Sequence, residues 1–336
     1  MDTKSEEKLD SKICYIARSY PPQVGGIQDY SKSLMTNLHR KNTKIQLIAN
    51  KKSNKNLPFY YAKAFLQILF SDADIYHIGD GASCILTPII KLKNKPIVTT
   101  VHGLDITHSS KPYQKIIVPL IKKSNKIIAV SSNTKEEIIK KGYPEGKIDI
   151  IPNALTKEKY ASEFETEKDP NMMITVGRQV KRKGTSHFIQ TKLNTLMENN
   201  ENLKFYIIGS GPEENTIKQA IHHSRYKNRI YHLGRLSDKD LENYYKKAKF
   251  FVMPNIQVKG DVEGFGIVLL EAIHHKNIIL ANPIEGIADA LKYTKNWINL
   301  NEDKIILDSL THEEETPKIY WNEVIEDYLT IYKNLS

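Results

Sequence analysis

Three observations predict an α/β chain built from two doubly wound domains. Short apolar runs alternate with helical patterns along most of the length, the order expected when strands and sheet-covering helices follow one another around a parallel sheet. The runs fall into two sets, and a polar stretch with proline at either end separates them. At 336 residues the chain is also long for a single hydrophobic core.

The first set of strands is ICYIA at 13–17, KIQLIA at 44–49, ADIYHIG at 73–79, PIVTTVHG at 96–103 and KIIAVS at 126–131. The second is MMITVG at 172–177, LKFYIIG at 203–209, RIYHLG at 229–234, KFFVMP at 249–254 and NIILA at 277–281. Between them, residues 152–171 lose periodicity and read as a linker. Near the end, Ile319, Trp321, Val324, Ile325, Tyr328, Leu329 and Tyr332 recur at helical spacing and predict a terminal helix with a wide apolar face. The expected domains are 1–155 and 156–315, with 316–336 forming a helix that packs back on the first.

With 40% apolar and 26% charged residues the composition is that of a soluble globular protein. No run approaches the ~18 to 20 apolar residues of a membrane span. The N-terminal MDTKSEEKLDSK is polar and acidic where a signal peptide is basic and then apolar, so a cytoplasmic location is expected. Cys14 and Cys84 lie far apart in apolar stretches and read as buried small hydrophobes, not as a disulfide or zinc site.

The charge is unevenly divided. Residues 1–150 hold 24 Lys+Arg against 13 Asp+Glu, a net +11, while residues 151–336 hold 25 against 26, a net −1. A basic half beside a neutral half points to an anionic partner, unless it reflects a general lysine bias. The signatures of RRM, KH and zinc-knuckle modules are missing, so the expected anion is a membrane face and not a nucleic acid. Two segments, 51–70 and 111–126, combine lysines with a short apolar face in the manner of interfacial helices. Taken alone, either one is better explained as an ordinary sheet-covering helix with a solvated lysine face.

Ligands of doubly wound sheets bind beyond the carboxyl ends of the strands, so the loops that follow them carry the chemistry. After the first strand comes RSYPPQVGGIQDY, where Gly25 and Gly26 precede a helix and let backbone N–H groups approach an anion. His102 ends the fourth strand and is placed to donate to a phosphate or sugar hydroxyl. In the second half, Gly177 and Arg178 open the loop RQVKRKG, whose four cations through Lys183 would repel one another without an anion between them. Gly209 begins another tight strand-to-helix turn.

The richest segment is KGDVEGFGIVLLEAI. It sets Glu263 and Glu271 eight residues apart, with Gly264, Phe265 and Gly266 between them at an expected helix start. Eight helical residues rise roughly 12 Å, about the span from sugar to ribose in a folded nucleotide sugar, with the pyrophosphate at the helix N-terminus. Carboxylates so close to an apolar helix are costly to bury without partners of that kind.

Together these segments resemble the large fourth family of retaining glycosyltransferases, which have the GT-B fold, over most of residues 12–290. The glutamate pair matches the family's E-x7-E motif. PPQVGGIQDY resembles its N-terminal glycine loop, GRQVKRKG its G-R-x-x-x-x-K-G loop and IPNAL its hinge. FVMPNIQVKGDVEGFGIVLLEA looks most like the phosphatidylinositol mannosyltransferase branch. The resemblance implies an acceptor-side first domain and a donor-binding second domain. Arg178 and Lys183 would hold the donor diphosphate, Gly25 and Gly26 would close on it, and His102 would sit by the transferred sugar. Glu263 would bind that sugar and Glu271 the ribose, with backbone from Gly177, Gly209, Gly264, Phe265 and Gly266 lining the donor site. It also implies transfer of a hexose, with mannose favoured by the branch, from a GDP- or UDP-sugar to a lipid-linked or oligosaccharide acceptor, on the inner face of the cell membrane. No metal or other cofactor is expected.

Two departures stand out. After Glu271 the family has a small residue, a glycine and a proline, where this chain has His274-His275-Lys276. Where the family has G-G-x-P-E, this chain has Glu285-Gly286-Ile287-Ala288-Asp289. An NAD-dependent dehydrogenase would share two Rossmann-like domains, but G-x-G-x-x-G follows none of the strands. A nucleotide-sugar epimerase on the same fold and a non-catalytic nucleotide-sugar binder remain open alternatives.

Overall fold

The computed structural model describes residues 9–156, 167–302, 304–307, 310 and 319–336. The chain divides into two compact units, residues 1–157 with 320–336, and residues 158–319.

The first unit is built on six parallel strands. They are β1 (Ile13–Ala17), β2 (Ile45–Ala49), β3 (Ile75–Ile78), β4 (Ile97–Val101), β5 (Lys126–Ala129) and β6 (Ile148–Ile150), in the order β2-β1-β3-β4-β5-β6. β1, β3 and β4 are buried along their whole length, which is why they read as unbroken apolar runs; β2, at the edge, is mostly half-buried. The five expected strands are all present. β6 was not expected, because three residues at a sheet edge carry too little pattern to register.

Helix α1 (Gly26–Arg40) buries Tyr30, Leu34 and Leu38 at four-residue spacing and packs against the C-terminal helix Trp321–Lys333. That helix buries Trp321, Val324, Ile325, Tyr328, Leu329 and Tyr332, the apolar face expected from its spacing. Its start is tied down where the Trp321 N–H donates to the Leu155 carbonyl at 3.0 Å.

Polar side chains lock the returning helix onto the sheet. The hydroxyls of Tyr30 and Tyr328 lie 2.7 Å apart. His77, in the middle of β3, bonds through Nδ1 to the Tyr332 hydroxyl at 2.6 Å and through Nε2 to the Thr100 hydroxyl at 2.8 Å. Burial, helped by the nearby His102, pushes the His77 imidazole down from 6.5 to about 3. Between those values the unfolded chain binds a proton that the folded imidazole refuses, so stability is lost as pH falls through the window. His77 is expected to contribute about 5 kcal/mol to that loss. In urea titrations stepped across the window, His77→Gln should flatten the pH dependence; an unchanged slope would refute the assignment.

The second unit carries β7 (Asp169–Val176), β8 (Lys204–Ile208), β9 (Ile230–Gly234), β10 (Ala248–Met253), β11 (Ile278–Ala281) and β12 (Trp297–Asn299), all parallel. The order is β12-β11-β10-β7-β8-β9. Again the five expected strands are found and a three-residue edge strand, β12, was missed. β7 begins at Asp169, so the last residues of the expected linker belong to the sheet. Residues 157–166 of that linker, and 316–318 of the expected terminal segment, lie outside the described residues.

In this sheet β7 pairs with both β8 and β10, and the connections run outward from it in opposite directions. The crevice beyond the carboxyl ends of β7 and β10 is therefore the topological switch point, where doubly wound sheets take their ligands. In the first unit β1 lies between β2 and β3 in the same way.

Candidate functional site

The loop after β7 carries Gly177 to Lys183, and the loop after β10 carries Asn255 to Gly266, so strand order brings two segments about 80 residues apart to one switch point. Lys183 Nζ lies 2.7 Å from Glu263 Oε2, and Arg182 Nε lies 3.4 Å from the same oxygen. Asn255 Nδ2 also donates to it, at 3.2 Å, and Arg182 reaches Asp261 with a second nitrogen at 3.2 Å.

Glu263 is buried. Burial alone would raise its carboxyl, but Lys183 and Arg182 outweigh burial and hold it below its ordinary 4.5. The cationic loop was expected to need an outside anion. Two of its cations, Lys183 and Arg182, lie against Glu263 and Asp261, while Arg178 is exposed.

Backbone geometry fixes this pairing. Gly184 adopts φ +64°, and a Cβ there would come within 2.1 Å of the Pro254 carbonyl oxygen, so only glycine lets the Lys183 loop press against the end of β10. At Gly209 a Cβ would come within 2.0 Å of the Gly177 carbonyl oxygen, which requires glycine after β8, while Gly177 after β7 holds φ +144°. Gln179 braces the loop from inside, accepting from the Thr185 hydroxyl at 2.9 Å and donating to the Gly177 carbonyl at 3.0 Å.

The second glutamate sits on the helix Ile267–His274, which buries Leu269, Leu270, Ala272 and Ile273 and leaves Glu271 half-buried. Residues 263–266 are not helical, so the expected rise of eight helical residues is corrected. Only the step from Ile267 to Glu271 is helical, and the rest of the separation is loop. Gly266 caps the helix, and the ring of Phe265 is buried beside it. The buried Tyr245 donates its hydroxyl to Glu271 Oε2 at 3.0 Å and stacks on His275 at 5.5 Å.

Glu285 occupies one of the positions where this chain departs from the G-G-x-P-E turn. It holds φ +52° and ψ −139°, a costly conformation for a residue with a side chain. Its Oε2 accepts from the Glu263 N–H at 2.6 Å, while the Gly286 N–H donates to the Glu263 carbonyl at 3.2 Å. The turn at 285–286 thus grips both backbone groups of Glu263. Burial and the neighbouring Glu263 charge raise the Glu285 carboxyl, against the Glu263 amide that favours its anion.

In the first unit, Gly25 and Gly26 head α1, and Gly25 accepts from the Asp29 N–H at 3.0 Å. His102 donates Nε2–H to the Gly79 carbonyl at 3.0 Å, and its backbone N–H bonds to Asp105 at 2.9 Å. With Nε2 donating to that carbonyl, the ring orientation of His102 is fixed from within the first unit. Beside it, at the switch point of this sheet, the buried Asp80 pairs with Arg18 at 3.1 Å.

Sequence reasoning did not single out Asn255, Asp261, Tyr245 or the Arg18–Asp80 pair. Asn255, Arg18 and Asp80 each fall within two residues of a strand's carboxyl end, and that placement was a usable signal. Nothing local marked Tyr245, which meets Glu271 only through the fold. Among the described residues, no group of three or more His, Cys, Asp or Glu side chains is placed to hold a metal ion. Asp72 and Asp74, spaced like a metal motif, are both tied to Lys12.

Two parallel sheets, with an anion-ready loop pair at the switch point of the second, have the architecture of GT-B glycosyltransferases. A solved structure of the Anabaena protein HepE in complex with UDP-glucose superposes with a TM-score of 0.63 at 15% identity, covering 97% of this chain and 91% of that one. Residues 24–159 match the model described as Glycosyltransferase Family 4, and residues 156–310 match that described as Glycosyl transferases group 1. The chain belongs to glycosyltransferase family 4.

An uncharacterized glycosyltransferase of Methanocaldococcus jannaschii is 23% identical over 85% of this chain and 84% of its own length. The GDP-mannose-dependent alpha-(1-6)-phosphatidylinositol monomannoside mannosyltransferase of Mycobacterium tuberculosis is 21% identical over 86% and 84%.

Proposed function

We propose that this glycosyltransferase moves a hexose from a nucleoside diphosphate sugar to a lipid-linked or glycan acceptor, with retention at the anomeric carbon and without a metal, in the synthesis of bacterial-type surface polysaccharide or glycolipid. The observation that carries the reading is the Lys183–Glu263 pair at the switch point of β7 and β10. Its cation suits a diphosphate and its carboxylate suits sugar hydroxyls. Glu271, held by Tyr245, takes the ribose, and Arg178 joins Lys183 on the diphosphate.

The acceptor hydroxyl attacks the anomeric carbon from the face that the diphosphate leaves. The leaving phosphate oxygen takes the hydroxyl proton, and Lys183 and Arg178 stabilise the charge growing on that phosphate. The relatives' names include GDP-mannose and the HepE complex contains UDP-glucose, which supports a nucleotide sugar donor and leaves base and sugar to be read from this chain. GDP-mannose is the first donor to test. The acceptor is proposed to lie at an anionic membrane face, next to the basic first unit.

A panel of GDP- and UDP-sugars tests the reading. One of them should raise the melting temperature and be consumed slowly, faster once lipid acceptor is added. If none shifts the melting temperature, the reading fails. Interconversion of the sugar without release of nucleoside diphosphate would make the protein an epimerase instead.

A further inference from the structure

Helix α2 (Leu57–Leu69) has apolar side chains on both of its faces. It buries Tyr60, Ala64 and Ile68 against the sheet. On the opposite side Phe59 is 70% exposed, Leu66 54% and the C-capping Phe70 82%. At 100° per residue these three lie within about 40° of one another and about 140° round the helix from the buried stripe. Phe65 and Leu69 widen the apolar face, and Leu92, at the end of the neighbouring helix α3 (Thr87–Leu92), is 83% exposed. A sheet-covering helix normally turns polar residues outward, and contiguous exposed apolar area on this scale marks an interaction surface.

Charge identifies the occupant. Residues 51–70 contain no Asp or Glu. Lys51, Lys52 and Lys55 are exposed at the N-terminal end of the helix and Lys63 along its flank, while Lys93 bonds to the Leu69 carbonyl at 2.9 Å at the other end. The acidic residues that follow, Asp72 and Asp74, are paired with Lys12 and Lys95. An apolar stripe rimmed by cations fits an anionic bilayer, with the aromatic rings at the acyl boundary and the lysines at the phosphates. A second copy of the chain would set like charges against one another. Among the described residues no helix is long and apolar enough to cross a membrane, so a helix lying in the interface is the mode that fits.

We infer that the outward face of α2, centred on Phe59, Leu66 and Phe70, docks this enzyme on an anionic lipid surface. The inference names the surface behind the proposed membrane-side acceptor and rests on that reading.

Sedimentation of the full chain with vesicles of phosphatidylcholine, with and without phosphatidylglycerol, tests it. The wild type should pellet with the anionic vesicles and be released by salt. The combined F59S, L66Q and F70S variant should bind at least about tenfold more weakly, because the apolar contact scales with the area it buries. Replacing Lys52, Lys55 and Lys63 by alanine should cost about fivefold per lysine at low salt. All six side chains are exposed, and circular dichroism checks that each variant is folded. If the F59S, L66Q and F70S variant binds like the wild type, the helix face is overturned while the membrane reading stands. If the wild type ignores anionic vesicles, both fall. Self-association that this variant abolishes would assign the face to a second copy and overturn the inference.

Discussion

Lys183→Ala is expected to lower kcat/KM by about three orders of magnitude while the fold survives. The ammonium is held 2.7 Å from Glu263 in a loop that Gly184 presses against β10, so it needs no rearrangement to meet a charge growing on a leaving phosphate. Removing one preorganised stabiliser of that kind costs about 10²- to 10³-fold, and the loss of a full charge lies at the upper end. Affinity for the bare nucleoside diphosphate should fall in parallel. Glu263 keeps Arg182 and Asn255 as partners, so the stability cost should stay at or below about 3 kcal/mol. Lys183→Arg should recover little, because a planar fork cannot take the place of a point charge in so tight a loop. Single-turnover kinetics and calorimetry with nucleoside diphosphate are the measurements. Unchanged diphosphate affinity would remove Lys183 from the donor site.

Glu263→Gln is expected to act in opposite directions on two measurements, which makes it the sharper test. Transfer should fall by about 10²-fold or more, because the charged acceptor of sugar hydroxyls is gone. Binding of nucleoside diphosphate without sugar should tighten by about tenfold, because Lys183 and Arg182 lose the carboxylate that now neutralises them. A residue that only holds the loop together would weaken both. The pH dependence provides a third reading. The depressed Glu263 carboxyl contributes stability that is present above 4.5 and lost as pH falls through its folded value, and the glutamine variant should lack that acid-side loss. The raised carboxyl of Glu285 shifts stability the opposite way with pH, so the comparison must be made between variants and not from the wild-type curve alone.

Glu285 also concentrates what is particular to this chain. A glutamate at φ +52° persists only if its surroundings over-determine it, and here its carboxylate and the following amide both hold the backbone of Glu263. The backbone of Glu263 is therefore held by a side chain, where the G-G turn has none. The sequence showed that the turn differed; that the difference acts on Glu263 is a property of the fold.

Ten strands were legible in the sequence because buried parallel strands are continuous apolar runs, and the terminal helix because its buried residues recur at helical spacing. β6 and β12 escaped because three residues at an edge hold no period. The residues Lys183, Glu263 and Glu271 were legible from motif and from their place after strands. Local pattern thus determined the strands, their two sets and the chemical types at the loops, since each depends on neighbours in the chain. Pairing was decided by the tertiary structure: Glu263 with Lys183, Tyr245 on Glu271, His77 between Tyr332 and Thr100, and the apolar face of α2 left outward. Each of those depends on strand order or on which side of a helix meets the core, and strand order is a property of the whole sheet that no window of sequence contains.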